Sequence, residues 1–310
     1  MSKKLLSLAL VLVLAIGAAA CAGGKAQPKE AVKIGIPDDA TNGGRAIKLL
    51  ESAGLIEVNP EAGWVPELKD VTKYIYNIEI VPTTANTLPS TLDDYGAATI
   101  NGTYATAAGF VPSKDGLLIE SQAEATAKEG GENPFVNIIV ARSAEKDNET
   151  YKKIVEAFQT DLVGQYIIAK YKEAYVPAFD YQPASGTDEE VLALVDGYQS
   201  DKEGKTVVRV GVCGSSNDQW IACQKVLDDQ GANIYLEMVE FDAYNLPNEA
   251  LNSGDIDLNS FQHKAYLASE IKSQGYEIEA IGDTLMAPLT LYSSKYDSVD
   301  ALKEAAGKKN

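Results

Sequence analysis

The chain has 310 residues, with 45 acidic against 27 basic side chains and a formal net charge of -18 at pH 7. Because the sequence has no basic stripe that could neutralise phosphates, nucleic acid is excluded as a partner. The length predicts two domains with large cores, and the single histidine, His263, restricts every site that needs this side chain.

The first residues predict an exported lipoprotein. Lys3 and Lys4 precede an apolar run that ends in small residues before Cys21. This run is shorter than the about 20 apolar residues that cross a bilayer. We expect residues 1–20 to be a signal peptide and Cys21 to carry lipid such as palmitate. We also expect residues 21–31 to be a flexible tether on the extracellular or periplasmic side of the cell membrane.

Short β-rich segments then alternate with amphipathic segments, which is typical of α/β lobes built on largely parallel sheets. VKIGIP predicts a buried strand, and TNGGRAIKLL, from Thr41, predicts the helix that follows it. Further strands are predicted over IYNIEIV, GAATIN and PFVNIIVA. Residues 148–171 predict one helix, with apolar side chains at roughly helical intervals.

The amino-acid composition changes at residues 174–206, which are rich in proline and polar residues. Within them, Thr187 and Glu190 predict a capping box at a helix start. VVRVGV then opens a second α/β series, with a helix over residues 218–230, a strand over NIYLEMVEF, a helix over NEALNSG and a strand over YEIEAIG. No internal repeat of fixed period is present.

Two cysteines remain besides Cys21. Cys213 and Cys223 could form a disulfide in an exported protein, or they could be two small buried apolar side chains. The sequence leaves this choice open. A cysteine nucleophile is disfavoured because neither residue has a histidine nearby in the sequence.

The segment TNGGRA follows a strand and is expected to open a helix, where backbone N–H groups are unpaired and an anion can be held. Gly43 and Gly44 would let that anion approach the backbone closely. Arg45 is then expected in the first turn, where a cation opposes the helix dipole by roughly 0.3–1 kcal/mol. An anionic ligand would reverse that sign and be bound by a bidentate guanidinium. The alternative is a solvated surface arginine.

Metal and catalytic sites are disfavoured. GDIDLNSFQH fails the calcium-loop pattern, with Ser260 in place of glycine and Tyr266 in place of the closing glutamate. One histidine without HExxH or CxxC gives too few zinc ligands. No GxSxG motif supplies a nucleophile. We therefore predict no metal, no cofactor and no enzymatic activity.

The stretch SFQHKAY brings two aromatic rings and an imidazole together (Phe261, His263 and Tyr266). Such a group of side chains can line a small-molecule pocket that is mostly apolar and has one polar group. Tyr244 adds a further ring, and Asn101 and Asn137 supply neutral amides suited to a ligand's ammonium group. The alternative for the histidine is a structural role, capping a backbone carbonyl.

Together these motifs resemble the methionine-binding lipoproteins, the NlpA family of ABC-transporter substrate-binding proteins. The matching segments are PDDATNGGRAIKLLESAGLI, INGTYA, PFVNIIVAR, FDAYNLPNEALNSGDIDLNSFQHKAYL and GYEIEAIGDTLMAPLTLYSSKYDSVDAL. The resemblance implies a two-lobed α/β, periplasmic-binding-protein-like (type II) fold. Such a protein closes over an L-amino acid, here L-methionine, and delivers it to an ABC permease in the membrane.

The resemblance also implies roles for single residues. Arg45 would bind the ligand carboxylate, and Asn101 and Asn137 would orient its amino and carboxylate ends. The side-chain pocket would be walled by Tyr244, Phe261, His263 and Tyr266. Sulfur against aromatic ring edges contributes about 0.3–1.5 kcal/mol per contact, so this wall suits a thioether.

The order of the parts departs from the family. In the family the half with FQH comes first, whereas here TNGGRA stands near the N-terminus, so the sequence predicts a circular permutant. Lobe A would comprise residues 32–133 and 291–310. Lobe B would comprise residues 134–290, including the joining segment 174–206. GVCGSSNDQW also replaces a Gly-Pro turn, which leaves the ligand open.

Three alternatives to methionine import therefore remain. The ligand could be a methionine-containing dipeptide or another amino acid. The protein could be a ligand-free surface adhesin, or an extracellular enzyme on an α/β scaffold. The sequence also leaves open whether the chain is a monomer or a lobe-swapped dimer.

Overall fold

The fold is described from a computed structural model, which covers residues 30–63, 65–121, 133–183 and 186–309. The predicted signal peptide, the lipid-attachment residue Cys21 and nearly all of the predicted tether lie outside these residues. Within the described residues, none of the helices combines the length and apolar character needed to cross a bilayer.

A five-stranded sheet forms the first lobe, in the order β4-β1-β5-β13-β6. Strand β1 is parallel to both β4 and β5, and β13 is antiparallel to β5 and β6. The strands are β1 (Val32–Pro37), β4 (Ile78–Thr83), β5 (Ala97–Ile100), β6 (Gly116–Ile119) and β13 (Thr290–Tyr292). A separate two-stranded sheet pairs β2 (Ile56–Val58) with β3 (Val71–Tyr74).

A six-stranded sheet forms the second lobe, in the order β10-β9-β11-β7-β12-β8. Strand β9 lies parallel to β10 and β11, and β12 runs antiparallel to β7 and β8. The strands are β7 (Val136–Arg142), β8 (Val176–Pro177), β9 (Thr206–Cys213), β10 (Ile234–Phe241), β11 (Leu258–Asn259) and β12 (Ile278–Met286). The predicted α/β class is confirmed.

Helices follow the parallel strands and cover the sheets. On the first lobe they are α1 (Ala40–Ser52), α2 (Gly102–Ala107), α3 (Pro112–Asp115) and α10 (Val299–Ala306). On the second lobe they are α4 (Glu149–Phe158), α5 (Asp161–Tyr171), α6 (Asp188–Val195), α7 (Gln219–Asp229), α8 (Pro247–Ser253) and α9 (Lys264–Gln274). The predicted capping box of Thr187 and Glu190 begins α6.

Each lobe has its own apolar core. Ile34, Leu50 and Leu291 are buried together in the first lobe. Trp220 packs on Phe158 in the second lobe, with ring centroids 4.9 Å apart. The chain passes between the lobes twice, once between β6 and β7 and once at residues 287–289.

Two helix predictions need correction. Helix α1 begins at Ala40, because the Asp39 side chain accepts the backbone N–H of Asn42 and caps the helix. Arg45 therefore lies in the second turn of α1, and the prediction of a first-turn arginine was wrong. The single helix predicted over residues 148–171 is two helices, because Thr160 is extended and serves as the N-cap of α5.

Cys213 and Cys223 are free thiols, and both are buried. Of the two possibilities left open by the sequence, the structure has the buried apolar one. Burial raises the pKa of each thiol well above its ordinary value, so both are protonated at neutral pH.

Candidate functional site

A cavity that opens to solvent lies in the cleft between the two lobes. Ligands of α/β proteins bind beyond the carboxyl ends of parallel strands, and the cavity occupies that position in both lobes. The first lobe contributes Arg45 from α1 and Asn101 from the start of α2. The second lobe contributes Asn137, Tyr244, Phe261, His263 and Tyr266. All seven residues predicted from the sequence therefore line one cavity.

Arg45 lies at one end of the cavity, and its side chain is only 3% exposed. Its Nε and Nη2 atoms donate to the two carboxylate oxygens of Glu120, at 2.9 and 2.5 Å. Nη1 donates to Oδ1 of Asn42 at 3.1 Å, and Nη2 lies 3.4 Å from the carbonyl oxygen of Ala287. The guanidinium also stacks 4.5 Å above the ring of Phe135.

The bidentate contact predicted for a ligand carboxylate is thus made by Glu120. A guanidinium has five N–H groups, and in Arg45 four of these N–H groups have acceptors. The fifth, on Nη1, has no acceptor among the described residues. Glu120 in turn accepts the backbone N–H of Leu289 at 3.2 Å. The ion pair therefore also holds the second crossing between the lobes in place.

Asn42 connects the guanidinium to the histidine. Its Nδ2 donates to both carboxylate oxygens of Asp39, at 3.1 Å each. Its Oδ1 accepts from Arg45 and lies 3.2 Å from Nε2 of His263. Asn42 is 2% exposed, so this carboxamide is held by three side chains in a buried position.

His263 has a structural role at the start of α9. Its Nδ1 accepts the backbone N–H of Tyr266 at 3.1 Å, so the side chain caps the helix. Because Nδ1 is an acceptor, the neutral ring carries its proton on Nε2 and donates it to Asn42. Burial, and after it the charge of Arg45, hold the pKa of His263 well below its ordinary value. The ring is therefore neutral at pH 7.

Two asparagines present amide groups to the cavity. Asn101 is 5% exposed, and its buried Oδ1 has no hydrogen-bond partner among the described residues. Asn137 is half-buried and faces His263 across an isolated antiparallel bridge. A buried amide oxygen without a partner costs about 1–3 kcal/mol, which a donating ligand would recover.

Aromatic rings form the wall of the cavity on the second lobe. Tyr244 lies 5.8 Å from Phe261 and 6.1 Å from Tyr266, measured between ring centroids. Tyr104 of the first lobe stacks on Tyr244 at 4.6 Å. Burial raises the pKa of Tyr244 and Tyr266 well above the ordinary value, so the wall is uncharged.

Several site residues were not selected from the sequence. Asn42, Gly102, Thr103, Gln262 and Ala287 also line the cavity. Four of them lie inside or beside the motifs TNGGRA, INGTYA and SFQHKAY, so neighbouring positions of those motifs were the available signal. Glu120 follows an ordinary strand, and nothing in its local sequence distinguishes it. No cluster of side chains able to hold a metal ion occurs in the part of the chain described.

The family profile described as NlpA lipoprotein matches residues 26–179 and 208–307, which is well over half of the chain. D-methionine-binding lipoprotein MetQ of Yersinia pestis is 41% identical over 133 residues, or 42% of this chain and 46% of the relative. MetQ of Escherichia coli (strain K12) is 40% identical over 133 residues, with the same coverage. The chain thus spans about half the length of the curated relatives it matches.

Among solved structures, a nutrient binding protein from Burkholderia cenocepacia bound to methionine is 28% identical to this chain. The superposition covers 49% of this chain and 60% of that chain, with a TM-score of 0.42.

Proposed function

Because the chain belongs to the NlpA lipoprotein family, we propose that it is the substrate-binding lipoprotein of an ABC importer, with methionine as its ligand. The observation that carries the proposal is the meeting of seven separately predicted residues around one cavity between the lobes. The names of the relatives from Yersinia pestis and Escherichia coli agree with this ligand.

The polar ends of an amino acid have partners in this cavity. The remaining Nη1 N–H of Arg45 would donate to the ligand carboxylate, and Oδ1 of Asn101 would accept from its ammonium group. Asn137 lines the cavity, and its carboxamide can contact either end of the ligand. The ion pair of Arg45 with Glu120 stays intact in this arrangement, so the ligand carboxylate is held by a single guanidinium N–H.

The aromatic wall suits the thioether. Tyr244, Phe261 and Tyr266 present ring faces and edges to the cavity, and sulfur–aromatic contacts contribute about 0.3–1.5 kcal/mol each. His263 completes this wall, with its proton already donated to Asn42. The imidazole is therefore neither a general base nor a metal ligand in this proposal.

The proposal is tested by calorimetric titration of the protein, stripped of ligand by mild denaturation and refolding, with L- and D-methionine. Both enantiomers are titrated because the relatives are named for D-methionine. Saturable binding of either enantiomer at one site supports the proposal. Binding of neither, by a protein whose circular dichroism shows it is folded, would refute it. Intact methionine after long incubation would agree with a protein that has no enzymatic activity.

The import role adds a membrane partner. Lipid on Cys21 would hold the protein at the outer face of the membrane, beside the permease that receives the ligand. The family description as a lipoprotein agrees with this anchor. Mass spectrometry of the N-terminal peptide from membrane fractions tests it, because the diacyl chains add a mass that an unmodified Cys21 lacks.

We also propose that the order of the lobes is permuted relative to the family, with residues 32–133 and 291–310 in lobe A and residues 134–290 in lobe B. A collinear alignment can follow only one of two exchanged halves. The relatives indeed align over less than half of the chain, whereas the family profile matches two blocks. Asn77 also accepts from the backbone N–H of Val32 and donates to the carbonyl of Gly307, so the two chain ends of lobe A are adjacent.

A further inference from the structure

The two lobes also meet outside the cleft cavity, at the loop that follows β10. There the backbone carbonyl of Asp242, in the second lobe, accepts two hydrogen bonds from side chains of the first lobe. Nδ2 of Asn86 donates to it at 3.1 Å, and the hydroxyl of Tyr104 donates to it at 3.2 Å. Any movement that separates the lobes at this loop must break both bonds, because the donors and the acceptor lie on different lobes.

The same loop carries Tyr244, which belongs to the aromatic wall of the cleft cavity. The ring of Tyr104 stacks on the ring of Tyr244, with centroids 4.6 Å apart. Tyr104 is 6% exposed, and burial raises the pKa of its hydroxyl, which therefore stays protonated and able to donate at neutral pH. The first lobe thus holds this loop through a ring contact and two hydrogen bonds.

Asn86 and Tyr104 do not line the cleft cavity. They line a neighbouring cavity at the solvent side of the aromatic wall, and Tyr244 and Tyr266 line both cavities. A ligand in the cleft cavity is therefore separated from the two donors by these rings. Any effect of Asn86 or Tyr104 on such a ligand must pass through the loop that they hold.

We propose that Asn86 and Tyr104 form a latch across the cleft, made of two positioning residues that hold the loop at residues 242–244 against the first lobe. The latch sets the rate at which a ligand leaves, because the lobes must part before the ligand can escape. This inference rests on the proposed binding of methionine in the cleft cavity. It assigns the two residues to the lifetime of the complex and not to the choice of ligand.

The size of the effect follows from what the three groups do when the cleft opens. Asp242 is exposed and Asn86 is half-buried, so their polar groups can bond to water once the lobes part. Each latch bond then contributes only the net value of one neutral hydrogen bond, which corresponds to about twofold to tenfold in an equilibrium constant. Most effects of contacts between two surfaces appear in the rate of dissociation.

The test measures how fast methionine dissociates from the full protein. The protein is loaded with radiolabelled methionine, as the enantiomer that calorimetry shows to bind, and is then mixed with an excess of unlabelled methionine. Tyr104→Phe removes one latch hydroxyl and keeps the ring on Tyr244, and Asn86→Ala removes the other donor. The matched control is Tyr95→Phe, because the hydroxyl of Tyr95 lies 2.8 Å from Oγ1 of Thr83 within the first lobe.

We expect each latch variant to release methionine about twofold to tenfold faster than the unaltered protein. The double variant should release it faster than either single variant, and no variant should bind methionine more slowly. Tyr95→Phe should change the dissociation rate by less than twofold. Urea unfolding without ligand should show similar small losses of stability for Tyr104→Phe and Tyr95→Phe, so a general loss of stability would not explain the faster release.

Two results would overturn the inference and leave the proposed function standing. Both latch variants could release methionine at the rate of the unaltered protein, or Tyr95→Phe could accelerate release as much as Tyr104→Phe does. If Tyr104→Phe does not fold, the half-buried Asn86→Ala decides the question alone. If the folded, unaltered protein binds neither enantiomer of methionine, the proposed function itself fails, and the latch fails with it.

Discussion

Nε2 of His263 lies 3.2 Å from Oδ1 of Asn42, so the only histidine of the chain joins the second lobe to helix α1 of the first. The same ring caps α9 through Nδ1. Both contacts require the neutral Nε2–H tautomer, because Nδ1 must be free to accept. One side chain therefore serves both the local helix and the contact across the cleft, and substitutions can separate these two roles.

His263→Asn should separate them. Asparagine is among the best N-cap residues, so it can replace the cap of α9, but it is too short to reach Asn42. We expect the free energy of unfolding to fall by less than about 1 kcal/mol. Methionine binding should weaken by about 0.5–1.5 kcal/mol, because the lost hydrogen bond to Asn42 joins the two lobes across the cleft. Urea unfolding and calorimetry measure the two effects. His263→Ala, which also loses the cap, should cost about 1 kcal/mol more in stability.

Acid should destabilise the protein through the same ring. The pKa of His263 is lowered in the folded state by burial and by Arg45, so the unfolded chain binds the proton more readily. The part of the folding stability that depends on a neutral His263 is fully present above about pH 6.5. It is lost as the pH falls below that value, by at most about 1.4 kcal/mol per pH unit. Asp39 and Arg45 both bond to Asn42, the partner of the ring, and Glu120 pairs with Arg45.

Urea unfolding at pH 7.5 and 5.5 checks this dependence. Because the pKa of Asp39 is also raised by burial, the control is His263→Asn, which retains every carboxylate. The variant should lose less stability than the unaltered protein over this interval. Equal losses in the two proteins would assign the pH dependence to the carboxylates and contradict the role of the histidine.

The ion pair of Arg45 and Glu120 should behave as one unit. Helix-dipole reasoning alone would make removal of Arg45 harmless, but the pair is buried, with side chains 3% and 11% exposed. Removing either partner leaves an uncompensated buried charge and should cost about 3–5 kcal/mol. The double variant Arg45→Ala/Glu120→Ala should cost clearly less than the sum of the two. Additive losses in urea unfolding would show that the two side chains do not depend on each other.

The surface pair Lys73 and Glu57 is a matched control for that cycle. Their side chains are 61% and 53% exposed at a separation of 2.8 Å. Exposed pairs contribute about 0–1 kcal/mol, so the two single variants and the double variant there should be nearly additive. The comparison separates the effect of burial from that of the charges themselves.

The sequence predicted the lining of the cavity better than the contacts within it. Arg45, Asn101 and His263 were selected because arginine, amide and imidazole groups are rare or unusual in their motifs, and short-range pattern is enough to notice them. Glu120 could not be selected, because its importance arises from a contact with a residue 75 positions away. The start of α1 was misplaced for a related reason. Asp39 caps the helix, but several nearby polar residues are equally good N-caps by sequence alone.

The break between α4 and α5 is a second feature that local sequence could not predict. Residues 148–171 keep apolar side chains at helical spacing across the break, so periodicity predicts one helix. In the fold, the side-chain Nε2 of Gln159 donates to the carbonyl of Asp283 on β12, at 2.9 Å. The break is thus accompanied by a contact with a strand 124 residues later, and no local pattern records that contact.

The last prediction concerns the order of the lobes. A chain that starts at Lys205, runs to Lys309, continues through a short Gly/Ser link into Ala31 and ends at Asp201 would restore the family order proposed above. The link should be tolerated because Val32 and Gly307 both bond to the backbone of Asn77. The new ends fall in an exposed turn, where cuts are best accepted. The reordered chain also keeps α6, whose Val191 and Val195 are buried.

We expect a folded monomer by size-exclusion chromatography that binds methionine within about threefold of the original affinity. Its unfolding should be somewhat easier, because the loops closed by the two connections differ in length. A soluble but non-binding product would contradict the equivalence of the two orders, and an insoluble one would show that the connection at residues 202–204 is required for folding.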